Sequence, residues 1–416
     1  MRNRVPIVLL TLVALSLPIS AAGPAASVAA QDGTDGSTAV ESSFISTYGN
    51  HAQLDGTPNR LVLKDDRRTT HTTPMFDFGL TLANHDESIR IDHQAFALES
   101  RIATLENDED RRNAIETDLE RIEERIDNLR DREQEVVANH AASEASEAAV
   151  LRMIAKNSYE ARQLQQALEG LDEQSSGIVD VSDSVNDLTA ELEVYTGPVR
   201  TEIESSLRGT DELDETADSS PAVAIESAPN GLVLSMLDGT EYLHEATRYD
   251  NRALDQTEQI ETMDDARNLG EELYPWAFET TSGTSTSKYS SVGLYQVQAS
   301  SHEQGQLTVY LDSGSSDVYH ERQTLDVERI PIETTDTIGS GSVNATLERT
   351  PGATPARITV TDADGTPVSA TVAVNETTVG ETDENGELWF ASSTGEYELT
   401  IQTESETLTA TVASSR

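Results

Sequence analysis

An apolar heptad pattern upstream of Val137 constrains the fold more than any other feature of the sequence. Apolar residues recur there at alternating steps of four and three, at Ile115, Leu119, Ile122, Ile126 and Leu129. Because Glu, Arg and Asp fill the positions between them, the segment is predicted to be a helix with one apolar face. Such a face predicts a coiled-coil seam that is buried against a second helix.

The second helix is predicted to be the one that follows in the same chain. NHAAS (139–143) interrupts the first helix, and Ser143 is a good N-cap for the next one. The second arm has apolar residues at helical spacing, Val150, Ile154, Ala161, Leu164, Leu168 and Leu171. Short connections place consecutive helices side by side and antiparallel. The alternative is one continuous helix that pairs with a second chain.

The helical region is predicted to cover residues 87–208. NDEDRRN (107–113) breaks the register and marks a kink or boundary. A third helix follows at 181–192, and Pro198 can start a last short one. Just before this region, FDFGLTL has alternating apolar residues, which favours a strand. The alternating residues are Phe76, Phe78, Leu80 and Leu82.

Beyond the helices the apolar period changes to two. Residues 209–221 are acidic, without apolar periodicity, and are predicted to be a linker. Residues 222–332 alternate like strands around one amphipathic helix, which predicts an antiparallel α+β domain. Residues 338–416 contain short strands separated by turn signals, as in a small β-sandwich. The predicted fold class is therefore multidomain α+β: a helical hairpin or coiled-coil bundle, an antiparallel α+β domain and a β-sandwich.

Residues 1–30 have the layout of a secretory signal peptide. Arg2 and Arg4 precede an apolar run that ends in small residues, so that the mature chain is expected to start at Gln31. The alternative is an uncleaved anchor, although the run is short for a membrane span. Once the signal is cleaved, we expect no transmembrane segment. Residues 31–86 are predicted to be a polar lead with short strands.

The charge of the chain restricts its surroundings and partners. Asp and Glu number 75 against 28 Lys and Arg, for a formal net charge of −47. Molar salt shortens the Debye length to about 3 Å and screens the resulting repulsion, so we expect adaptation to high salt. Nucleic acid and anionic lipid are poor partners for so acidic a surface, because both need clustered basic residues, and we expect no nucleic-acid partner. With 0 Cys, disulfides and thiolate chemistry are excluded.

Two resemblances extend these predictions. The stretch TDADGTPVSATVAVNETTVGETDENGELWF, followed by GEYELTI, resembles a carboxypeptidase-regulatory or bacterial Ig-like sandwich. That resemblance covers 358–401 and implies a spacer or binding module without catalytic residues. The larger layout resembles a family of secreted haloarchaeal coiled-coil proteins to which no activity is assigned, so that it implies no site residues.

The sequence contains no motif that favours an enzyme. The 8 histidines form neither H-x-H nor H-E-x-x-H, and the sequence contains no nucleophile elbow or phosphate loop. The histidines of the sheet region, His244, His302 and His320, are expected at solvent-facing strand positions. Asp362 and Asp383 begin stretches similar to calcium loops, but hairpin turns are the preferred interpretation. We therefore predict no catalytic residue, no metal site and no cofactor.

Two groups of residues remain as candidate sites. Asn344 and Asn375 begin glycosylation sequons in the predicted sandwich. Tyr274, Trp276 and Phe278 form the richest aromatic cluster; a plug in the core is the preferred interpretation, and a ligand platform is the alternative.

The predicted function is that of a secreted or cell-surface structural or interaction protein. Its coiled-coil hairpin would act as a stiff spacer that presents the β-rich modules to an envelope protein or glycan. The alternative is an extracellular protein that binds a glycan or peptide ligand, and a hydrolase is third. The sequence leaves the oligomeric state open.

Overall fold

The described part of the chain contains seven α-helices and nineteen β-strands. The computed structural model describes residues 46–48, 51–53, 60–64, 66–174, 181–209, 221–253, 256–339 and 342–413. The helices are α1 (Phe78–Ile102), α2 (Asp108–Ala141), α3 (Glu147–Gln174), α4 (Val181–Glu193), α5 (Pro198–Arg208), α6 (Met263–Leu273) and α7 (Pro275–Phe278). The predicted signal peptide, its cleavage site before Gln31 and most of the predicted linker lie outside the described residues.

The strands form four sheets. They are β1 (Ser46–Tyr48), β2 (His51–Gln53), β3 (Arg60–Leu61), β4 (Arg68–Thr72), β5 (Val223–Ala228), β6 (Gly231–Asp238), β7 (Glu241–Arg248), β8 (Thr284–Tyr289), β9 (Leu294–His302), β10 (Gly305–Asp312), β11 (Val318–Asp326), β12 (Thr334–Gly339), β13 (Val343–Arg349), β14 (Ala356–Asp362), β15 (Thr371–Val374), β16 (Thr377–Glu381), β17 (Glu387–Phe390), β18 (Tyr397–Gln402) and β19 (Thr407–Val412). The first three form a small sheet, the next eight a large one, and the last eight two sheets of four.

Helices α2 and α3 form an antiparallel hairpin within the chain. All five heptad residues of α2 are buried, each at most 8% exposed. The amide of Asn157 donates to the carbonyl of Leu129 at 3.0 Å, and Arg125, one turn earlier in α2, donates to Glu160 further along α3 at 2.6 Å. Later residues of α3 thus contact earlier residues of α2, which shows that the two helices are antiparallel. The seam is therefore filled by the same chain.

The start of α3 differs from the prediction. Ser143 has a left-handed backbone with φ 62°, so that it cannot be the cap, and α3 begins at Glu147 instead. The hydroxyl of Ser146 accepts a hydrogen bond from the Ala149 N–H at 3.3 Å. Ser146 takes the capping role because the left-handed residue continues the turn that ends α2.

The strand predicted over Phe76 to Leu82 is wrong, because α1 begins at Phe78. Asp77 caps this helix by accepting a hydrogen bond from the Leu80 N–H at 3.0 Å. Of the alternating apolar residues only Leu80 is buried, while the others are exposed. The alternation of apolar residues over these seven positions therefore did not mark a strand. It arose because α1 has apolar residues on two different faces. The predicted start of the helical region at residue 87 is correspondingly too late.

The large sheet is antiparallel throughout, in the order β4-β5-β6-β7-β11-β10-β9-β8. Its edge strand β4 comes from the predicted lead and pairs with β5, from Arg68 opposite Ser227 to Thr72 opposite Val223. This part of the lead, residues 68–72, therefore belongs to the large sheet. Helices α1 to α5 lie in the chain between these two neighbouring strands.

The helices cover one face of the sheet. Ile225, Leu234 and Leu243 of the strands share a buried cluster with residues of α2, α3 and α5 such as Ile154 and Ile203. The hairpin therefore packs directly against the sheet, and its predicted role as a spacer that presents the β-rich modules stays a prediction. Helix α5 and the strands carry apolar side chains that are not part of the hairpin seam. These side chains are buried only when the bundle packs against the sheet.

Helices α6 and α7 and the lead residues Leu61 and Leu63 pack on the opposite face of the sheet. The C-terminal sandwich has its own core between the sheets β12-β13-β14-β17 and β16-β15-β18-β19. It also contacts the large sheet, since the hydroxyl of Thr377 donates to the carbonyl of His71 at 3.1 Å. The predicted fold class, α+β with a helical region and a terminal sandwich, is confirmed.

Candidate interaction surface

Helix α1 has two apolar faces, of which only one is buried. The buried face, with Leu80, Ile91 and Leu98, packs on the bundle. The second face is open to solvent; its apolar residues and their exposures are Phe78 70%, Leu82 60%, Ile89 55% and Phe96 66%. Because these residues are separated by four or seven positions, they form one line along the helix.

An open groove continues this line at the start of α1. Met75 and Phe76, 78% and 59% exposed, line this groove together with Phe78. Leu151 and Leu207 of the bundle also line it. We call Met75, Phe76, Phe78, Leu82, Ile89 and Phe96 the α1 strip.

The start of α1 is held in place by Asp77. Its carboxylate accepts from the Leu80 N–H at 3.0 Å and from Arg152 of α3 at 2.5 Å. These two bonds lower the pKa of Asp77 below its usual value, the Leu80 amide having the larger effect. Behind it, the Asp77 N–H donates to the carbonyl of Leu207 at 2.8 Å. The strip is therefore presented on a fixed backbone.

The α1 strip is large for a surface left in water. If a Phe side chain presents roughly 150–250 Å², its three phenylalanines expose on the order of 300–500 Å². The largest apolar patch of a typical monomer is about 300–600 Å², and Met75, Leu82 and Ile89 add to this one. Of the eight large hydrophobic side chains exposed in the described residues, six lie on the strip; Met263 and Ile332 stand apart. Such concentration is typical of an interaction surface.

The polar residues along the helical part of the strip are mostly uncharged. His85, His93 and Ser100 lie on the same face, and the nearest carboxylates, Asp86 and Asp92, flank it. Asp86 forms an exposed ion pair with Arg90 at 2.7 Å. The strip is thus a nearly neutral line on a protein with a net charge of −47.

The aromatic cluster lies in the core. Tyr274 and Trp276 are 0% and 8% exposed, and Phe278 packs beside them against the large sheet. The Tyr274 hydroxyl donates to Glu321 at 2.5 Å, and the Trp276 ring meets His302 edge-on with centroids 4.7 Å apart. This placement corresponds to a core plug and not to a surface platform.

The prediction of solvent-facing histidines in the sheet is wrong. His244, His302 and His320 are 1%, 6% and 0% exposed. Burial lowers the pKa of His244 to about 3, with a smaller contribution from Arg60, and it lowers the pKa of His302 to about 4. A sheet that is covered on both faces buries alternate strand positions on both sides, which the sequence did not indicate.

Glu321 is the centre of a buried polar cluster that sequence reasoning missed. Its carboxylate accepts from the Tyr274 hydroxyl, from the Leu61 N–H at 2.7 Å and from the Gln323 amide at 2.7 Å. The His244 Nε2 lies 3.5 Å away. Burial raises the pKa of Glu321 to about 7 despite these donors. Because burial keeps the His244 imidazole neutral, the two side chains form a polar contact and no ion pair.

The two stretches similar to calcium loops are closed turns. Asp362 accepts from the N–H groups of Asp364 and Thr366, both at 2.9 Å, and Asp383 accepts from Asn385 and Glu387 in the same way. In each turn these backbone bonds lower the pKa of the aspartate. Among the described residues no group of three His, Asp or Glu side chains is arranged to hold a metal ion.

The two sequons differ in their surroundings. Asn344 is exposed on β13. Asn375 is also exposed, but its side-chain oxygen accepts from the Glu398 N–H at 2.9 Å, and the hydroxyl of Thr377 is engaged at the contact with His71. Within the described ranges, no helix has the length and apolar character that would span a bilayer.

Comparison with known families covers most of the chain. Residues 223–331 match a family of unknown function (DUF7094). Residues 334–410 match the archaeal fibronectin-III type-like domain, which identifies an archaeal protein and confirms the expected Ig-like β domain at the C-terminus. No curated protein matches the chain. Residues 1–212, half of the sequence, match the domain of unknown function DUF7096, and the chain belongs to that family.

Proposed function

We propose that this protein is an exported structural protein of the archaeal cell surface that works by binding other macromolecules, without catalysis. The observation that carries the proposal is the α1 strip. A row of aromatic and aliphatic side chains held on a capped helix costs free energy in water, and it is stabilised when another surface covers it.

Export is supported by the signal-like layout of residues 1–30. A high-salt environment is supported by the net charge of −47, because only screening makes such a surface compatible with compaction. We expect helical circular dichroism to fall as salt is diluted from molar to millimolar concentration. A helix signal that stayed constant over this range would contradict adaptation to salt.

The sandwich offers a second contact surface beside the α1 strip in this proposal. Fibronectin-III type-like domains are small sandwiches with exposed edge strands and loops, which suit contacts with surface proteins or glycans. Its contacts with the large sheet, including Thr394 donating to Glu226 at 2.6 Å, hold it against the rest of the body. The bundle, sheet and sandwich then act as one body.

The experiment is fractionation of the native host in its own salt. We expect the mature protein to remain with the envelope. The double variant Ile89→Glu/Phe96→Glu places two carboxylates on the strip, and we expect it to move into the medium. The control is Met263→Glu, which charges an exposed apolar residue outside the strip. Equal retention of all three proteins would contradict the proposal.

A ligand-binding protein was the alternative prediction. Its grounds are the aromatic cluster and the sandwich type; burial of Tyr274 and Trp276 removes the first ground, and the second remains.

A further inference from the structure

We propose that the α1 strip binds the same strip of a second copy of this chain, with the two α1 helices antiparallel around a two-fold axis at Ile89. This inference rests on the proposed function, in which the strip is an interaction surface, and it names the partner.

The three apolar residues in the middle of the strip, Leu82, Ile89 and Phe96, are spaced symmetrically about Ile89. Leu82 lies seven residues before it and Phe96 seven residues after it. Seven residues are nearly two helical turns, so all three lie within about 20° of one line, with Leu82 and Phe96 each about 10 Å from Ile89. In an antiparallel pair each Leu82 therefore faces Phe96 of the second copy, and the two Ile89 side chains meet at the axis. A two-fold interface needs such a self-complementary pattern.

The polar residues beside the strip also match those of a second copy. On one side of the line lie Asp86, three residues before Ile89, and His93, four residues after it. On the other side lie His85, four residues before, and Asp92, three residues after. The two-fold rotation reverses the direction of the helix but does not exchange the two flanks of the strip. Asp86 therefore lies level with His93 of the second copy, and Asp92 lies level with His85 of the second copy. Each aspartate thus meets a histidine of the other chain and no aspartate.

The charge of the rest of the protein favours this face for self-association. Two copies with a net charge of −47 each repel one another wherever carboxylates meet. Along the strip the facing residues are Phe, Leu, Ile and His, and its aspartates meet imidazoles. Like-charge contacts at an interface are unfavourable. The electrostatic repulsion between two copies is therefore smallest when they meet at this face.

The size of the surface is adequate for a dimer. Helix α1 has 25 residues and is about 37 Å long. Its three phenylalanines alone expose on the order of 300–500 Å². With Met75, Leu82 and Ile89 the strip approaches the roughly 800 Å² that each partner of a standard interface buries.

Cysteine crosslinking tests the pairing sharply because the chain contains 0 Cys. Under mild oxidation in molar salt, we expect Ile89→Cys to form a disulfide-linked dimer. Leu82→Cys and Phe96→Cys should each crosslink poorly alone but should crosslink when the two variants are mixed. Ala83→Cys, exposed on α1 outside the strip, is the matched control and should crosslink at least about tenfold less. Efficient crosslinking of Leu82→Cys alone would overturn the antiparallel arrangement.

Light scattering after gel filtration measures the oligomer without crosslinks. We expect a dimer that Ile89→Glu converts to monomer, since the axis would then bury two facing carboxylates. His93→Glu should raise the dimer Kd by about tenfold, because it places a carboxylate level with Asp86 of the second copy. A monomer at all accessible concentrations would overturn the inference.

The same variants separate this inference from the proposed function. A monomeric protein whose envelope retention is still lost in Ile89→Glu/Phe96→Glu would mean that the strip binds another molecule. The second-copy inference would then be wrong while the proposed function stands. A monomeric protein whose retention does not respond to these substitutions would contradict both.

Discussion

Arg200 and Glu133 form a two-pronged ion pair between α5 and α2 with both side chains removed from solvent. The two bonds measure 2.8 and 2.7 Å, and the side chains are 1% and 0% exposed. The Arg200 Nε also donates to Glu245 of β7 at 3.1 Å, and the Tyr249 hydroxyl donates to Glu133 at 2.9 Å. This network joins two helices to the sheet.

Arg200→Met is expected to destabilise the protein by about 3–5 kcal/mol, because it leaves Glu133 and Glu245 buried without a cation. The measurement is denaturant unfolding at constant salt. Arg267→Met is the control, since Arg267 forms an exposed pair with Asp264 at 3.4 Å and should change stability by less than about 1 kcal/mol. Similar losses for both variants would contradict the role assigned to the buried network.

Glu321→Gln is expected to change how stability depends on pH. Because burial raises the pKa of Glu321 to about 7 from an ordinary 4.5, the folded protein binds more protons than the unfolded one between these values. Its stability contribution is therefore lost as pH rises from about 4.5 to 7, by on the order of 3 kcal/mol. The substituted amide cannot ionise, so the variant should gain stability relative to the wild type across this window.

The test is a set of unfolding curves for both proteins between pH 4 and pH 8, since their difference isolates Glu321. The wild type alone would mislead, because His244 opposes Glu321. The lowered pKa of His244 makes stability fall as pH drops from about 6.5 towards 3. Stability curves that stay parallel for wild type and variant would show that Glu321 ionises as readily in the folded protein as in the unfolded one.

Gly197→Ala is expected to destabilise the protein by about 1–3 kcal/mol through crowding. A Cβ at Gly197 would lie 2.2 Å from the Glu245 carboxylate, which also accepts from the Val199 N–H at 2.7 Å. Gly170→Ala is the matched control, because a Cβ there meets nothing within 4 Å and lies inside α3. That change should stabilise by about 1 kcal/mol through helix propensity. Thermal unfolding of both variants measures the contrast, and the same sign for both would refute it.

Glycosylation is expected at Asn344 and not at Asn375 when the protein is isolated from its host. Asn344 projects from an exposed strand position, whereas the Asn375 side chain accepts from the Glu398 N–H beside the contact of Thr377 with His71. Peptide mapping by mass spectrometry identifies the occupied site, and Asn344→Gln should remove the added mass. A glycan found on Asn375 alone would reverse this assignment.

The features that could be predicted from the sequence are those set by local periodicity. Ile122, Ile126 and Leu129 repeat at heptad spacing, and they lie in the seam of the hairpin. The strands of the sandwich could be found because turn signals such as Asp383 to Gly386 separate them. Local spacing suffices in these cases because the packing partner lies within a few tens of residues.

Long-range packing could not be predicted in the same way. The burial of His320 depends on helices and a lead segment that cover both faces of its sheet, and no pattern in β11 itself reports them. The α1 strip was missed for the opposite reason: Phe78 and Leu82 fit a strand pattern when only seven residues are considered. The helix becomes evident only when Ile91 and Leu98 are included.

The pairing of β4 with β5 links two segments of the chain that match different families. Strand β4 belongs to the segment that matches DUF7096, and β5 belongs to the segment that matches DUF7094. The boundary between the two families therefore runs through a hydrogen-bonded ladder. A gene that carried the second segment alone would encode a sheet whose β5 edge is bare and prone to pair with other chains. Selection should therefore keep the two segments together in one reading frame, in this order.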